Sequence, residues 1–332
     1  MSQFFRKLLT LSALFALQVS PIQADQCCPT DECFDPCGGW SVGADFLFWN
    51  VCKDNPQYGV TIDTSVTNLT AAEPHYAPMG WEPGFRLYAG KENVYCGWDM
   101  CASYTYLWAS GSDHVESGTN VALISSNGSD PNSTLGEIDA RNTLTYQTFD
   151  VLLGYEFCFC KCQKIKPFFG IQGVKIRQGL VQRNQTVAIG NFTDLSWISD
   201  YKALGLELGA LYNYDLECGL GLFTRAGVSF VAGCNDVERE ESFFVSDTFI
   251  GAREYSDDKG LCTPGVHLQV GLSYDKCWCD RDFTFRIGYE FTDWWNVAQI
   301  RQYGIAGQQT TTSSTGGNLM MHGLFVGMGV GF

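Results

Sequence analysis

Long apolar runs are almost absent from this chain of 332 residues. Beyond the N-terminus no stretch of about 18 uninterrupted apolar residues occurs, which excludes a transmembrane helix from the rest of the chain. Proline is scarce, with 10 residues, whereas glycine numbers 36 and aromatic residues reach 14%. Because a membrane strand alternates between lipid and water, abundant aromatic residues with a mean hydropathy of −0.07 favour such strands. A large secreted β-sandwich is the alternative.

Basic residues and histidines are also few. Lysine and arginine total 21 against 36 acids, a net charge of −15, which argues against nucleic acid as a partner. The histidines are His75, His114, His267 and His322. No serine nucleophile stands out in the sequence, so a barrel lipase or protease is the weakest alternative. The sequence predicts a protein that is not an enzyme and that holds no cofactor or metal.

The first 24 residues have the pattern of a secretory signal peptide. Arg6 and Lys7 precede an apolar stretch at 8–19, and Ala24 offers a small residue for cleavage. Cleavage removes two bases and no acid, which changes the net charge from −15 to −17. An exported chain meets an oxidising compartment, so most of its 15 cysteines should form disulfides. Their odd number leaves at least one free or bonded to another molecule.

Period-two alternation marks the strands and is clearest in residues 324–332. There Leu324, Val326, Met328, Val330 and Phe332 share one face, and the other face is mostly glycine. Similar alternation predicts ten strands, at residues 40–49, 84–91, 94–109, 143–159, 166–181, 200–215, 220–230, 266–274, 283–291 and 324–332. Short turns alternate strictly with long loops, which are predicted at residues 50–79, 110–140, 183–198, 233–262 and 297–317.

The even count and this loop pattern predict the fold class: all-β, a transmembrane antiparallel up-and-down β-barrel of about ten strands, with twelve as an alternative. Since every backbone group inside a bilayer must be bonded, the first strand should pair with the last. Residues 25–39 would form a cysteine-rich periplasmic segment and residues 40–332 the barrel. Aromatic residues near strand ends suggest interface girdles: Trp40, Trp49, Trp98, Trp108, Tyr274, Trp294 and Trp295.

The inward faces of these strands carry the candidate functional side chains. The predicted pore-lining residues are Asp45, Arg86, Asp150, Glu156, Glu207, Arg225, His267, Arg286 and Glu290. Mixed charges inside a lipid-facing barrel predict either a wet channel for small hydrophilic solutes or ions, or a lumen plugged by salt bridges. Ten strands leave only a narrow lumen.

Most cysteines fall at one end of the predicted barrel, the periplasmic one. The disulfide candidates are Cys27, Cys28, Cys33, Cys37, Cys96, Cys101, Cys158, Cys160, Cys162, Cys218, Cys234, Cys262, Cys277 and Cys279. Cys234 and Cys262 flank the largest loop and could clamp its base. Disulfides within the chain and disulfides between molecules both remain open. Zinc binding by the Cys-x-Cys motifs is a further alternative, which the oxidising compartment disfavours.

Several short motifs resemble a known family. Residues 35–40, Asp-Pro-Cys-Gly-Gly-Trp, resemble the entry to the barrel in the chlamydial major outer membrane proteins. Residues 40–49, 84–86, 104–106 and 288–295 resemble the related pore-forming major outer membrane proteins of Legionella type. The resemblance implies an abundant porin of the bacterial outer membrane and a disulfide-crosslinked envelope. The terminal Phe332 also resembles the signal that such barrels present to their insertion machinery.

These observations lead us to expect a multi-pass barrel of the bacterial outer membrane that acts as a porin. The alternative is a structural or adhesive barrel with a plugged lumen and loops that face the host. The expected partners are outer-membrane lipid, the barrel insertion machinery, other cysteine-rich envelope proteins and further copies of this chain.

Overall fold

The structure is a computed structural model. It describes residues 39–54, 57–63, 72–118, 121–125, 135–160, 162–187, 190–278, 281–306 and 309–332. The predicted signal peptide and residues 25–38 lie outside the described residues. Within the described ranges, no helix has the length and apolar character needed to cross a membrane.

The described chain is built from strands that form one antiparallel sheet. In chain order they are β1 (Trp40–Lys53), β2 (Gly59–Asp63), β3 (Ala72–His75), β4 (Trp81–Tyr95), β5 (Trp98–Glu116), β6 (Val121–Ser125), β7 (Leu135–Tyr155), β8 (Phe157–Cys160), β9 (Gln163–Thr186), β10 (Phe192–Glu217), β11 (Leu220–Val245), β12 (Thr248–Trp278), β13 (Arg281–Ala306) and β14 (Gln309–Gly331).

Ten of these strands close into a barrel, as the alternation predicted. The ring runs β1–β4–β5–β7–β9–β10–β11–β12–β13–β14 and returns to β1. The first and last strands pair from Ser41 with Gly331 to Lys53 with Leu319. At the seam, the backbone groups of Trp40 and Phe332 bond to each other in both directions at 2.8 Å. The predicted pairing of first and last strands is therefore confirmed, and the ring has no open edge.

The two faces of the wall differ as a membrane barrel requires. On β10, Leu204, Leu206 and Leu208 point outward with 64, 61 and 51% of their surface exposed. The outward apolar positions 204–212 span about 27 Å of strand, or about 20 Å of height at the usual tilt. Side chains of the opposite parity, such as Glu207, are buried inside the ring. The outer wall therefore carries an apolar band of bilayer height.

The strands are much longer than predicted, and the predicted loops are mostly strand. Residues 233–262 form a hairpin of β11 and β12 that continues to a turn at Ser246 and Asp247. Both turn residues have positive φ, 48° and 60°, as a two-residue hairpin turn of type I′ requires. The other predicted loops likewise contain strand residues, namely β2, β3, β6 and the ends of β1, β5, β7, β9, β10, β13 and β14. Above the lipid the outer face of the strands carries polar and charged side chains, so the alternation of hydrophobicity weakens although the ladder continues.

Two smaller predictions are wrong. The connection expected at Glu92 and Asn93 lies farther on, at Cys96 and Gly97, because β4 continues to Tyr95. Trp49 and Trp294 do not belong to an interface girdle: they are 1 and 2% exposed, inside the barrel. Trp49 has the same parity as the inward-facing Asp45, and this parity, rather than the position near a strand end, determines which way the ring points.

Candidate functional site

The barrel interior holds a layer of charged side chains, hereafter the charged layer: Asp45, Arg86, Asp150, Glu207, Arg225, Arg286 and Glu290. Arg86 on β4 donates through both terminal nitrogens to Glu290 on β13, with Nη1 3.0 Å from Oε2. The same Nη1 lies 3.4 Å from Asp45 Oδ2, and Arg286 Nη2 donates to Asp45 Oδ1 at 2.9 Å. Since β1 and β14 separate β4 from β13, the Arg86–Glu290 bonds span the inner face of two intervening strands, whereas Arg86 and Asp45 are direct neighbours on β4 and β1.

A second group of polar bonds completes the layer on the opposite wall. Gln172 Nε2 donates to Asp150 at 2.7 Å and to Glu207 at 3.3 Å. Arg225 Nη2 donates to Glu207 at 2.9 Å, and Ser103 Oγ donates to Asp150 at 3.0 Å. Across both groups three guanidinium groups face four carboxylates, and each of these charges has an opposite charge or a polar donor within reach. Buried charges persist only when they are paired in this way.

The sequence placed these side chains inside the barrel but did not reveal their partners. Eight of the nine predicted pore-lining residues lie in or beside the charged layer, including His267, whose Nε2 is 3.2 Å from Glu290. Glu156 lies just beyond β7, where it pairs with Lys164 at 3.0 Å and lines the lumen on the side of the short turns. Thr105, Ser103 and Gln172, which complete the network, were not among the predicted pore-lining residues; Thr105 Oγ1 accepts a hydrogen bond from Arg86 Nε at 3.1 Å. Their inward parity was the available signal.

Apolar side chains fill the lumen directly above the charged layer, on the side of the long hairpins. This apolar layer consists of Leu47, Trp49, Leu107, Leu144, Tyr146, Ile176, Tyr201, Val231, Leu261, Trp294 and Met321, all 8% exposed or less. Trp294 Nε1 donates to Tyr146 Oη at 3.2 Å, and the Trp49 and Tyr146 rings lie 6.3 Å apart. The cavity between the two layers has a volume of about 10 Å³. That is about the space for one water molecule.

The described parts of the segment between β1 and β4, residues 57–63 and 72–80, lie against the inner wall above the apolar layer. Within these parts, Tyr58 and Ala77 are 0% exposed. Tyr58 Oη donates to Asp113 at 2.6 Å, Gln182 Nε2 donates to the Tyr58 carbonyl at 3.1 Å, and Asn142 Nδ2 to the Ala77 carbonyl at 2.7 Å. These bonds hold residues 57–63 and 72–80, hereafter the inturned segment, against the inner wall. Its sequence pattern had indicated only a polar loop.

Below the charged layer the lumen opens toward the short turns. A cavity of about 350 Å³ is lined there by Asn213, Phe223, Asp275, Thr284, Arg286 and other residues. It is wide enough for water and small solutes, but it ends at the charged layer.

The described cysteines lie where the topology predicted, and no disulfide joins one of them to another. Cys96, Cys158, Cys160, Cys162, Cys218 and Cys277 lie near the short turns, and Cys101 shares the inward parity of Ser103. Cys234 and Cys262 are free thiols on the outer face of β11 and β12. They do not face each other directly, because Cys262 pairs with Ala232 and Cys234 pairs with Gly260. Cys27, Cys28, Cys33, Cys37 and Cys279 lie outside the described residues. The disulfide assignments therefore stay predictions.

Comparison with known proteins places this barrel in a family. Residues 35–332 match the profile of the family described as the Legionella pneumophila major outer membrane protein precursor. A search of curated proteins found no match. Similar solved structures include the outer membrane protease OmpT of Escherichia coli, at 8% identity and a TM-score of 0.43, covering 89% of this chain and 96% of that one. A major outer membrane protein of Thermus thermophilus has 13% identity and a TM-score of 0.33, covering 89% and 99%.

Proposed function

Because the chain belongs to the Legionella major outer membrane protein family and the apolar layer fills the lumen above the charged layer, we propose that it is a closed outer-membrane barrel with a structural and surface role. Its short turns would face the periplasm and its long hairpins the outside of the cell. The observation that carries the proposal is the apolar layer, whose members come from nine of the ten ring strands.

The free energy gained by burying the side chains of the apolar layer explains why the lumen would stay closed. Burying one large apolar side chain contributes about 1.5–3 kcal/mol. Moving four of them into water would cost about 6–12 kcal/mol, comparable to the whole stability of an ordinary domain. Thermal motion would therefore rarely open a path for a solute.

Swelling of proteoliposomes tests this function. Vesicles containing the barrel are transferred into an isosmotic solution of a small sugar, and turbidity reports sugar entry. We expect the swelling rate of vesicles without protein. Swelling that falls as the sugar becomes larger would contradict a closed barrel and support a porin.

A porin for small ions or solutes is the second candidate, and the cavity below the charged layer favours it. That cavity reaches Arg286, whose Nη2 pairs with Asp45 at 2.9 Å, and such ion pairs could exchange partners with a passing ion. A pathway would then need only the apolar layer and the inturned segment to move. In that case swelling or ion flux would be present in the wild type and would change with substitutions in the charged layer.

Crosslinking through the periplasmic cysteines is part of the structural proposal. Cys96 and Cys218 are exposed at the short turns, where thiols of neighbouring molecules can meet. The partners would be cysteine-rich envelope proteins or further copies of this chain. Gels of intact envelopes, run without and with reductant, should show a ladder that collapses to monomer on reduction. A monomer in both lanes removes the crosslinking role but leaves the closed barrel untouched.

A further inference from the structure

A thiol and an imidazole meet on the outer wall, at the seam between the first and last strands. Cys52 on β1 and His322 on β14 place Sγ and Nε2 3.8 Å apart. Sγ also lies 3.2 Å from Asn50 Oδ1, which accepts a hydrogen bond from the thiol. Both side chains are half-buried, just above the apolar positions Phe48 and Leu324. The pair therefore lies at the outer membrane interface, within reach of the external solution.

A thioether belongs to the same face. Met320 is the direct partner of Cys52 in the register of β1 and β14, and it has the outward parity of His322. Side chains that face each other directly across two strands have Cβ atoms about 4.5–5.5 Å apart. Met320 is half-buried, as Cys52 and His322 are. One small patch of wall thus presents a thiol, an imidazole and a thioether.

The imidazole is held by a hydrogen bond on its other nitrogen. Tyr289 Oη lies 2.6 Å from His322 Nδ1, and the Trp81 ring packs edge-on against the imidazole at 6.0 Å between centroids. If Nδ1 carries the proton and donates it to Tyr289, Nε2 is left with its lone pair toward Cys52. Histidines that bind metals are oriented by the same kind of bond on the distal nitrogen.

We propose that Cys52, Met320 and His322 form a binding site for a soft monovalent metal ion, Cu(I). Thiolate and thioether are the ligands that select Cu(I), and imidazole also suits copper. With metal–sulfur and metal–nitrogen bonds of about 2.3 and 2.0 Å, as in zinc sites, a separation of 3.8 Å corresponds to an angle of about 124° at the metal. That angle is close to the 120° of a trigonal ion. Binding replaces the proton of the Cys52 thiol, which passes to solvent.

Alkylation of individual cysteines, read by mass spectrometry, tests the site in the full-length protein. The refolded barrel is incubated with Cu(I) whose free concentration is set by a competing chelator under ascorbate, and then treated briefly with iodoacetamide. Other cysteines also bind copper. Because the chelator fixes the concentration of free Cu(I), the degree to which each thiol is protected from alkylation still reports the Cu(I) affinity of that thiol. The exposed Cys96, at the β4–β5 turn, serves as the internal reference.

The variants Met320→Leu and His322→Phe keep Cys52 as the reporter and remove one donor each. We expect each to raise the free Cu(I) needed to protect Cys52 by about tenfold or more, with no change at Cys96. Tyr289→Phe keeps all three donors and should weaken protection by about 10–100-fold through loss of the orienting bond. Heat-dependent gel mobility shows whether each variant has folded into the barrel. If Met320→Leu or His322→Phe does not fold, Tyr289→Phe still tests the site. Identical protection of Cys52 in the wild type and in the folded variants would overturn the site.

Discussion

At the scale of single residues, the barrel interior is organised by charges that need one another. Arg86 is 5% exposed and serves both Glu290 and Asp45, so it neutralises carboxylates from two other strands. Gly327 on β14 leaves the space that the Asp45 carboxylate occupies, since a Cβ there would lie 1.9 Å from Oδ1. The glycine face of the last strand, evident in the sequence, thus makes room for the charged layer.

Replacing Arg86 with Met should destabilise the barrel strongly. The substitution leaves Glu290 and Asp45 buried without their shared cation, which costs about 3–5 kcal/mol for a buried pair. Urea titration of the barrel in lipid vesicles, followed by tryptophan fluorescence, measures the free energy of unfolding.

Arg183→Met is the matched control for that prediction. Arg183 also bonds a carboxylate through two nitrogens, Asp194 at 2.6 and 2.8 Å, but 53% of its side chain is exposed. Its loss should cost about 0–1 kcal/mol. Equal effects of the two substitutions would show that the charged layer is not buried as described.

Gly111→Ala should loosen the inturned segment. A Cβ at Gly111 would lie 1.9 Å from the Pro78 carbonyl oxygen, so residues 76–80 must move away from β5. We expect faster proteolysis within residues 72–80, followed by mass spectrometry of the fragments. Gly260→Ala, where no atom lies within 4 Å, is the control and should leave cleavage unchanged. Equal cleavage in both variants would mean that the segment does not pack against β5.

At the scale of strands, the sequence predicted the strand segments inside the apolar band and missed their extension into the long hairpins above it. Within the apolar band, outward apolar side chains alternate with inward polar ones, and the strands there were found. Beyond the band, β11 and β12 carry charges such as Glu238 and Glu240 on their outer face, so no alternation of hydrophobicity remains. Length and pairing there are set by the ladder and by the turn at Ser246 and Asp247.

A charge on the lipid face should reveal where the bilayer ends. Leu206→Arg lies in the apolar band and should destabilise the barrel by about 2–4 kcal/mol. The control is Ile250→Arg, at the tip of the β11–β12 hairpin. Ile250 is 62% exposed and Leu206 61%, and the control substitution should change stability by close to zero. Urea titration in vesicles compares them. A large loss of stability in Ile250→Arg would place lipid at the hairpin tip.

At the scale of the whole molecule, three features were predictable from one sequence: the number of ring strands, the pairing of the first strand with the last, and the identity of the inward charges. The sequence left open whether the lumen is a wet channel or is plugged by salt bridges, and it did not indicate the apolar layer. Arg86 and Glu290 are separated by 204 residues, and nothing in either strand indicates that they meet. The inturned segment was also missed, because Tyr58 and Ala77 lie in a polar stretch and are buried only by the surrounding barrel. Long-range packing, which parity cannot report, decides whether such a barrel conducts.

Conductance of planar bilayers tests the closed lumen most directly, with the wild type compared with the double variant Trp49→Ala, Trp294→Ala. Removing both rings takes away the cross-lumen contacts with Tyr146 and should cost about 3–5 kcal/mol at each site. We predict no conductance steps for the wild type and rare, small steps for the double variant, in which only the charged layer and the inturned segment still close the lumen. Stable steps of equal size in both proteins would contradict a lumen closed by the apolar layer.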